Sequence, residues 1–236
     1  MKRGFFRLWT ARVILLLAGL TIAHLGVTLF MQSYLGSDPF NVMIRGLFLR
    51  VPWSEELNIL GIRFQMTHGL VHVAVSVLIV LVLLVVDRSY IRIGTLLCMA
   101  LGGPIIDLFT LLLRDLINAQ SPYWWRIVCL VLGCVILAFG MTIVIKSEAG
   151  TGPNDLVGVV VSDKTKWKFG IVRVAVDAAF ALIGFLLCFS FDKTVDGTLG
   201  VGSIVCTFLV GPTAQLFFPI SEKLCKRFLP KTEAGK

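Results

Sequence analysis

The chain has 236 residues, of which 57% are hydrophobic and only 15% charged, with a formal net charge of +8 at pH 7. At a mean hydropathy of +0.89, this excludes an ordinary soluble domain and points to a multi-pass membrane protein. The positive charge requires no nucleic acid, because basic residues gather in cytoplasmic loops of such proteins and attraction to anionic lipid follows as a by-product.

In chain order, apolar stretches close to the roughly 20 residues needed to cross hydrocarbon lie near residues 12–32, 68–86, 91–113, 126–145, 169–190 and 198–219. Six spanning helices are therefore predicted. The first is too long, and too poorly followed by a small-residue cleavage site, to be a removable signal peptide. It is read as a retained helix. With the N-terminus in the cytoplasm, the groups Lys2, Arg3, Arg7 and Arg12, then Arg88 and Arg92, then Lys146, Lys164, Lys166 and Lys168, then Lys223, Lys226, Arg227, Lys231 and Lys236 fall on one side. They are most of the 22 Lys and Arg residues, so both termini are expected in the cytoplasm and residues 221–236 read as a basic cytoplasmic tail.

The chain also repeats itself. RVILLLAGLTIAHLGVTLFMQSYLGSDPFN from Arg12 returns as RIVCLVLGCVILAFGMTIVIKSEAGTGPND from Arg126, HGLVHVAVS from His68 as FGIVRVAVD from Phe169, and GTLLCMALGGP from Gly94 as GSIVCTFLVGP from Gly202. The offset between copies is 114 from Pro39 to Pro153, 101 from His68 to Phe169 and 108 from Gly94 to Gly202. Length changed in the polar stretches around VPWSEELNILGIRFQ and FDKTVDGTLGV, where connections tolerate insertion. Repeat 1 is taken as residues 12–116 and repeat 2 as 125–220, together one membrane domain. Three crossings per copy insert the second copy upside down relative to the first, the inverted-repeat plan of many secondary transporters.

In each copy a glycine-containing turn precedes a proline and a short apolar run: Gly36-Ser37-Asp38-Pro39-Phe40-Asn41, and Gly150-Thr151-Gly152-Pro153-Asn154-Asp155. This pattern predicts helix termination and restart as a half-helix, too short to span at about 1.5 Å per residue. Proline suits the first helical position, Asp38 or Thr151 can cap the new helix, and the first amides of such a helix attract anions. The plainer reading is an ordinary turn in which Asp38, Asn41 and Asp155 only cap.

Ionisable groups inside the spans are the sharper clue, since a charge at the bilayer centre costs at least a few kcal/mol and faces a cavity or partner. Asp177 lies near mid-span, one helical turn after Arg173, so the two can pair at i, i+4. Their counterparts in the first copy are Ser76 and His72. Asp177 or His24 could carry a coupling proton, against the plainer readings of a locked Arg173/Asp177 pair and a packing histidine. Asp107 and Gln215 are equivalent polar positions, each three residues after a helix proline that frees a backbone carbonyl. Asn154 and Asp155 open the second half-helix and complete the candidate site.

No nucleophile constellation, metal spacing or phosphate-binding loop is present, so no catalytic residue, metal or cofactor is expected. The six cysteines sit in or beside apolar segments and are read as packing residues. Cys98 and Cys206 are equivalent positions that a two-fold axis could bring together, and a homodimer stays open. Trp124, Trp125 and Trp167 mark membrane interfaces.

Through LGSDPFN, AGTGPNDLV, FGIVRVAVD and GVGSIVCTFLVGP the chain resembles the YczE/YyaS/YitT-like family of bacterial integral membrane proteins over nearly its full length. That family usually has an aromatic-Asp pair where this chain has Phe40-Asn41. The resemblance implies a small polytopic protein of the bacterial cytoplasmic membrane, a transporter or an accessory to another pathway, without naming a substrate. The expectation is an all-α membrane protein of two inverted three-helix repeats, each with a half-helix, moving a small organic solute with proton coupling. The alternative is a non-transporting scaffold for a biosynthetic or assembly partner. A channel is disfavoured because no repeated filter residues occur.

Overall fold

The computed structural model describes residues 2–50, 57–59, 62–64, 68–189 and 199–229. They form eight α-helices and one small hairpin: α1 (Lys2–Gln32), α2 (Pro39–Arg50), β1 (Leu57–Ile59), β2 (Ile62–Phe64), α3 (His68–Asp87), α4 (Ile93–Leu113), α5 (Tyr123–Lys146), α6 (Pro153–Thr165), α7 (Phe169–Phe189) and α8 (Val201–Phe228). Six helices are long and apolar enough to cross a membrane: Phe6–Gln32, His68–Tyr90, Ile93–Leu113, Tyr123–Lys146, Phe169–Cys188 and Val201–Phe228. These are the six stretches that hydropathy alone marks out. The two post-proline segments are separate helices of 12 and 13 residues, about 18–20 Å long and short of a crossing.

Two details add to the sequence reading. The polar insertion before α3 contains an antiparallel hairpin with Leu57 opposite Phe64, Asn58 opposite Arg63 and Ile59 opposite Ile62, formed where apolar residues alternate with polar ones. The segment read as a cytoplasmic tail is helical at its start: α8 runs unbroken through Pro212 and Pro219 to Phe228, and only 230–236 lie outside the described residues. The insertion around FDKTVDGTLGV also lies outside them as far as Thr198.

The centre of the molecule is the seam between α1 and α5, and it is made of glycine. A Cβ on Gly19 would stand 3.0 Å from the Gly140 carbonyl oxygen and 2.9 Å from Val144 N, and one on Gly26 would stand 2.6 Å from the Gly133 carbonyl oxygen. Gly133 in turn faces Gly26 and Phe30, and Gly140 faces Gly19 and Ala23. Rising numbers on α1 meet falling numbers on α5, so these two equivalent helices run antiparallel, at backbone contact that only glycine permits.

Around this seam, α4 packs on α1 and α8 on α5, α7 lies against α8, and the half-helices α2 and α6 pack against α7 and α3. Phe30, Leu130, Cys134, Met141, Cys206 and Val210 form the largest buried cluster, while Cys98 belongs to a separate one with Leu16, Leu20 and Val144. Cys98 and Cys206 are therefore not brought together within the chain. The clustered basic residues meet at one end of the bundle, where Arg12 pairs with Glu148 at 2.6 Å, Lys164 with Asp87 at 3.2 Å and Lys146 with Glu222 at 3.0 Å.

Candidate functional site

Each half-helix begins at a turn with the same backbone. After α1 the chain passes through Tyr34 (φ 54°) and Gly36 (φ 143°), and after α5 through their equivalents Glu148 (φ 55°) and Gly150 (φ 138°). Glycine is required twice over at the second position. Its φ is left-handed, and a Cβ on Gly150 would lie 2.5 Å from Thr95 N while one on Gly36 would lie 2.6 Å from Ser203 Oγ.

The close approach lets each turn hold the last helix of the other copy. Gly94 N donates to the Ala149 carbonyl at 2.9 Å, and Gly202 N donates to the Leu35 carbonyl at 2.8 Å. Pro39 and Pro153 then open α2 and α6, as expected. Asp38 caps α2, accepting from Asn41 N at 3.1 Å and Asn41 Nδ2 at 2.6 Å. Thr151 does not cap α6; Gly152 occupies the N-cap, with no side-chain hydrogen bond.

Asp155, in the first turn of α6, reaches α7. Arg173 Nη1 donates to Asp155 Oδ1 at 2.6 Å and Arg173 Nε donates to Asp177 Oδ2 at 2.8 Å. The expected i, i+4 pair is thus present, and a second carboxylate shares its guanidinium. Arg173 and Asp177 are buried, Asp177 to 1% side-chain exposure, while Asp155 keeps 22%. Two carboxylates on one guanidinium leave an excess negative charge, and Asp177 Oδ1 is buried with no hydrogen-bond partner among the described residues. Asp177 is the ninth residue of α7, about 12 Å from its start and so near the middle of the roughly 30 Å hydrocarbon layer.

The first copy has no such charge. Its equivalents are Asn41, His72 and Ser76; Asn41 is held by Asp38, Ser76 is buried, and the His72 ring meets Phe40 edge-on at 5.2 Å, with Phe180 5.3 Å beyond. Asn154, where the first copy has Phe40, folds toward Gly152. His24 bonds its own helix at Leu20 (Nδ1 to the carbonyl, 2.7 Å) and packs against Gly102. Gln215 Oε1 accepts from Gly170 N at 3.0 Å. Asp107 stands apart from all of these, exposed on α4, and Arg114 pairs with its neighbour Asp115 at 3.8 Å.

Beside the charged cluster, at the basic end, an open cleft of about 480 Å³ runs along α6 and is lined by Tyr90, Arg92, Lys146, Thr151, Leu156 and Phe169, among others. Its volume suits a small solute. It is lined by Leu156, next to Asp155, and does not include Asp155, Arg173 or Asp177. Among the described residues no group of three or more His, Cys, Asp or Glu is placed to hold a metal ion.

Six apolar spanning-length helices and two partial helices at repeated Gly/Pro breaks define a multi-pass α-helical membrane protein. The chain belongs to the DUF6198 family, a family of unknown function, whose pattern matches residues 10–219. It is 28% identical to the uncharacterized membrane protein YczE of Bacillus subtilis (strain 168) over 95% of this chain and 91% of that one. It is 24% identical to the uncharacterized protein YyaS of the same organism over 92% of this chain and 96% of that one. An uncharacterized protein of Haemophilus influenzae is also 24% identical, over 92% and 89%. No solved structure matches the chain.

Proposed function

We propose that the protein is a secondary transporter of a small organic solute in the bacterial cytoplasmic membrane, working by alternating access between two oppositely inserted copies and coupled to protons through Asp177. The observation that carries this reading is the unequal cluster Asp155, Arg173 and Asp177: one guanidinium between two carboxylates, with Asp177 Oδ1 buried and unpartnered. A purely structural ion pair needs no second acid. A proton on Asp177 removes the excess charge and leaves Arg173 with Asp155, on the half-helix. Antiparallel packing of α1 and α5 supports opposite insertion, and the basic end with both chain termini is assigned to the cytoplasm.

The test is uptake of a small-metabolite library into proteoliposomes under an imposed pH gradient, with Asp177→Asn beside the parent chain. Asparagine keeps an acceptor for Arg173 Nε and leaves Asp155 and Arg173 as a balanced pair, so folded protein is expected in normal amount. Uptake driven by the gradient should disappear in the variant. Uptake that follows the gradient equally in both would remove Asp177 from coupling. No uptake of any solute, together with a stoichiometric co-purifying protein, would replace transport by the accessory-factor role.

A further inference from the structure

The last helices of the two copies carry the same docking surface, and only one of them is occupied. On α8, Gly211 lies against α7: a Cβ there would stand 2.5 Å from the Gly170 carbonyl oxygen and 3.0 Å from Val174 Cγ2. One turn on, Gln215 Oε1 accepts the Gly170 amide, and Phe169 and Phe218 meet edge-on at 5.2 Å. The equivalents on α4 are Gly103, Asp107 and Thr110; on α3 they are Gly69, Val73 and His68. Among the described residues, nothing lies within 4 Å of where a Cβ on Gly103 would be. Gly69, Val73, Gly103, Asp107 and Thr110 are all exposed, and α3 makes no extensive contact with α4.

Asp107 makes this more than an apolar helix face. It lies six residues before the end of α4, about 9 Å in, where a carboxylate facing lipid is costly. A second site carries the same imbalance. Ser203 Oγ, at the start of α8, donates to the Ser37 carbonyl at 2.5 Å. Its equivalent, Thr95 Oγ1 at the start of α4, is fully buried without a partner among the described residues, although the equivalent acceptor, the Thr151 carbonyl, lies in the adjoining turn.

We propose that the Gly103/Asp107 face of α4 is a docking surface for the first turn of α3, filled in a second conformation in which the first copy takes the packing now seen in the second. Gly69 then lies against Gly103, the Gly69 amide donates to the Asp107 carboxylate, and Thr95 Oγ1 donates to the Thr151 carbonyl. A carboxylate is a stronger acceptor than the glutamine amide that serves α7. What the motion accomplishes rests on the transport reading above; the docking itself does not.

The experiment uses the full chain in native membranes with His68→Cys and Thr110→Cys, treated with a short thiol-specific bifunctional reagent. The six native cysteines are all buried, and the two single variants serve as controls. An intramolecular cross-link, reversed by reductant, is expected. Gly103→Leu, placed where the observed structure has open space, should abolish it without loss of folded protein. Asp107→Leu should lower its yield about tenfold, the shift expected from losing one hydrogen bond to a charged acceptor. No intramolecular cross-link, or a yield unaffected by Gly103→Leu, overturns the proposal in favour of a lipid-covered face. A dimer-sized product from Thr110→Cys alone overturns it in favour of a second copy. A cross-link that forms in a protein showing no uptake leaves the docking standing while the transport reading fails.

Discussion

Arg173 holds together what the sequence presents as two unrelated features, a half-helix acid and a mid-span acid. The i, i+4 spacing makes the bond to Asp177 legible from the chain alone, because helical geometry is local. The bond to Asp155 is not legible, since no spacing rule says that α6 leans its first turn on α7. Removing the guanidinium leaves Asp177 buried without its partner and Asp155 part-buried beside it, and breaking a buried pair costs about 3–5 kcal/mol. Arg173→Leu is therefore expected to lower the thermal unfolding temperature in detergent sharply, and adding Asp155→Asn with Asp177→Asn to restore much of the loss. An unfolding temperature for the triple variant no higher than for Arg173→Leu alone would mean that the arginine matters for its packing instead.

Helices and their boundaries follow closely from hydropathy and from the repeated Gly/Pro signal, because crossing a fixed thickness of hydrocarbon dictates both length and composition. Packing partners do not follow in the same way. Gly103 and Gly211 are the same position in the two copies, yet one faces open space and the other a neighbouring backbone. A stripe of small residues thus states that a helix can be approached closely, not that it is. The contrast is measurable at the seam. Gly140→Leu forces a side chain into the backbone of Gly19 and Ala23, and is expected to destabilise by about 3 kcal/mol or more, the upper range for overpacking. Gly103→Leu should change unfolding by no more than about 0.5 kcal/mol, as surface substitutions do. Similar losses from both in thermal unfolding would contradict the contact pattern described.

For the whole molecule, duplication was legible and the unequal use of its halves was not. Equivalent contacts recur across copies, with Gly94 on Ala149 and Gly202 on Leu35, while among the described residues the buried charges, Arg173 and Asp177, lie in the second copy. The equivalent arginines, Arg12 on α1 and Arg126 in the first turn of α5, repeat the exchange. Arg126 donates to the carbonyls of Ser33 and Tyr34 at 2.6 Å, at the end of α1, and Arg12 binds Glu148 just past the end of α5. A cation beside exposed carbonyls at a helix C-terminus is favourable. If the basic end faces the cytoplasm, a cysteine replacing Lys166 should be blocked by an impermeant thiol reagent only after the membrane is opened. One replacing Ala119 should react in intact cells. The reverse pattern would turn the protein over.

The glycine seam carries a last implication. Gly19 meets Gly140 and Gly26 meets Gly133, and in the numbering of the repeat each pair joins the first glycine of one copy to the second glycine of the other. The surface on α1 is consequently complementary to itself once turned end over end. A chain of half this length would find its natural mate in another molecule of the same kind lying upside down in the same bilayer. With both surfaces in one polypeptide the two halves need not carry the same charges, and Asp155, Arg173 and Asp177 stand where the first copy has Asn41, His72 and Ser76.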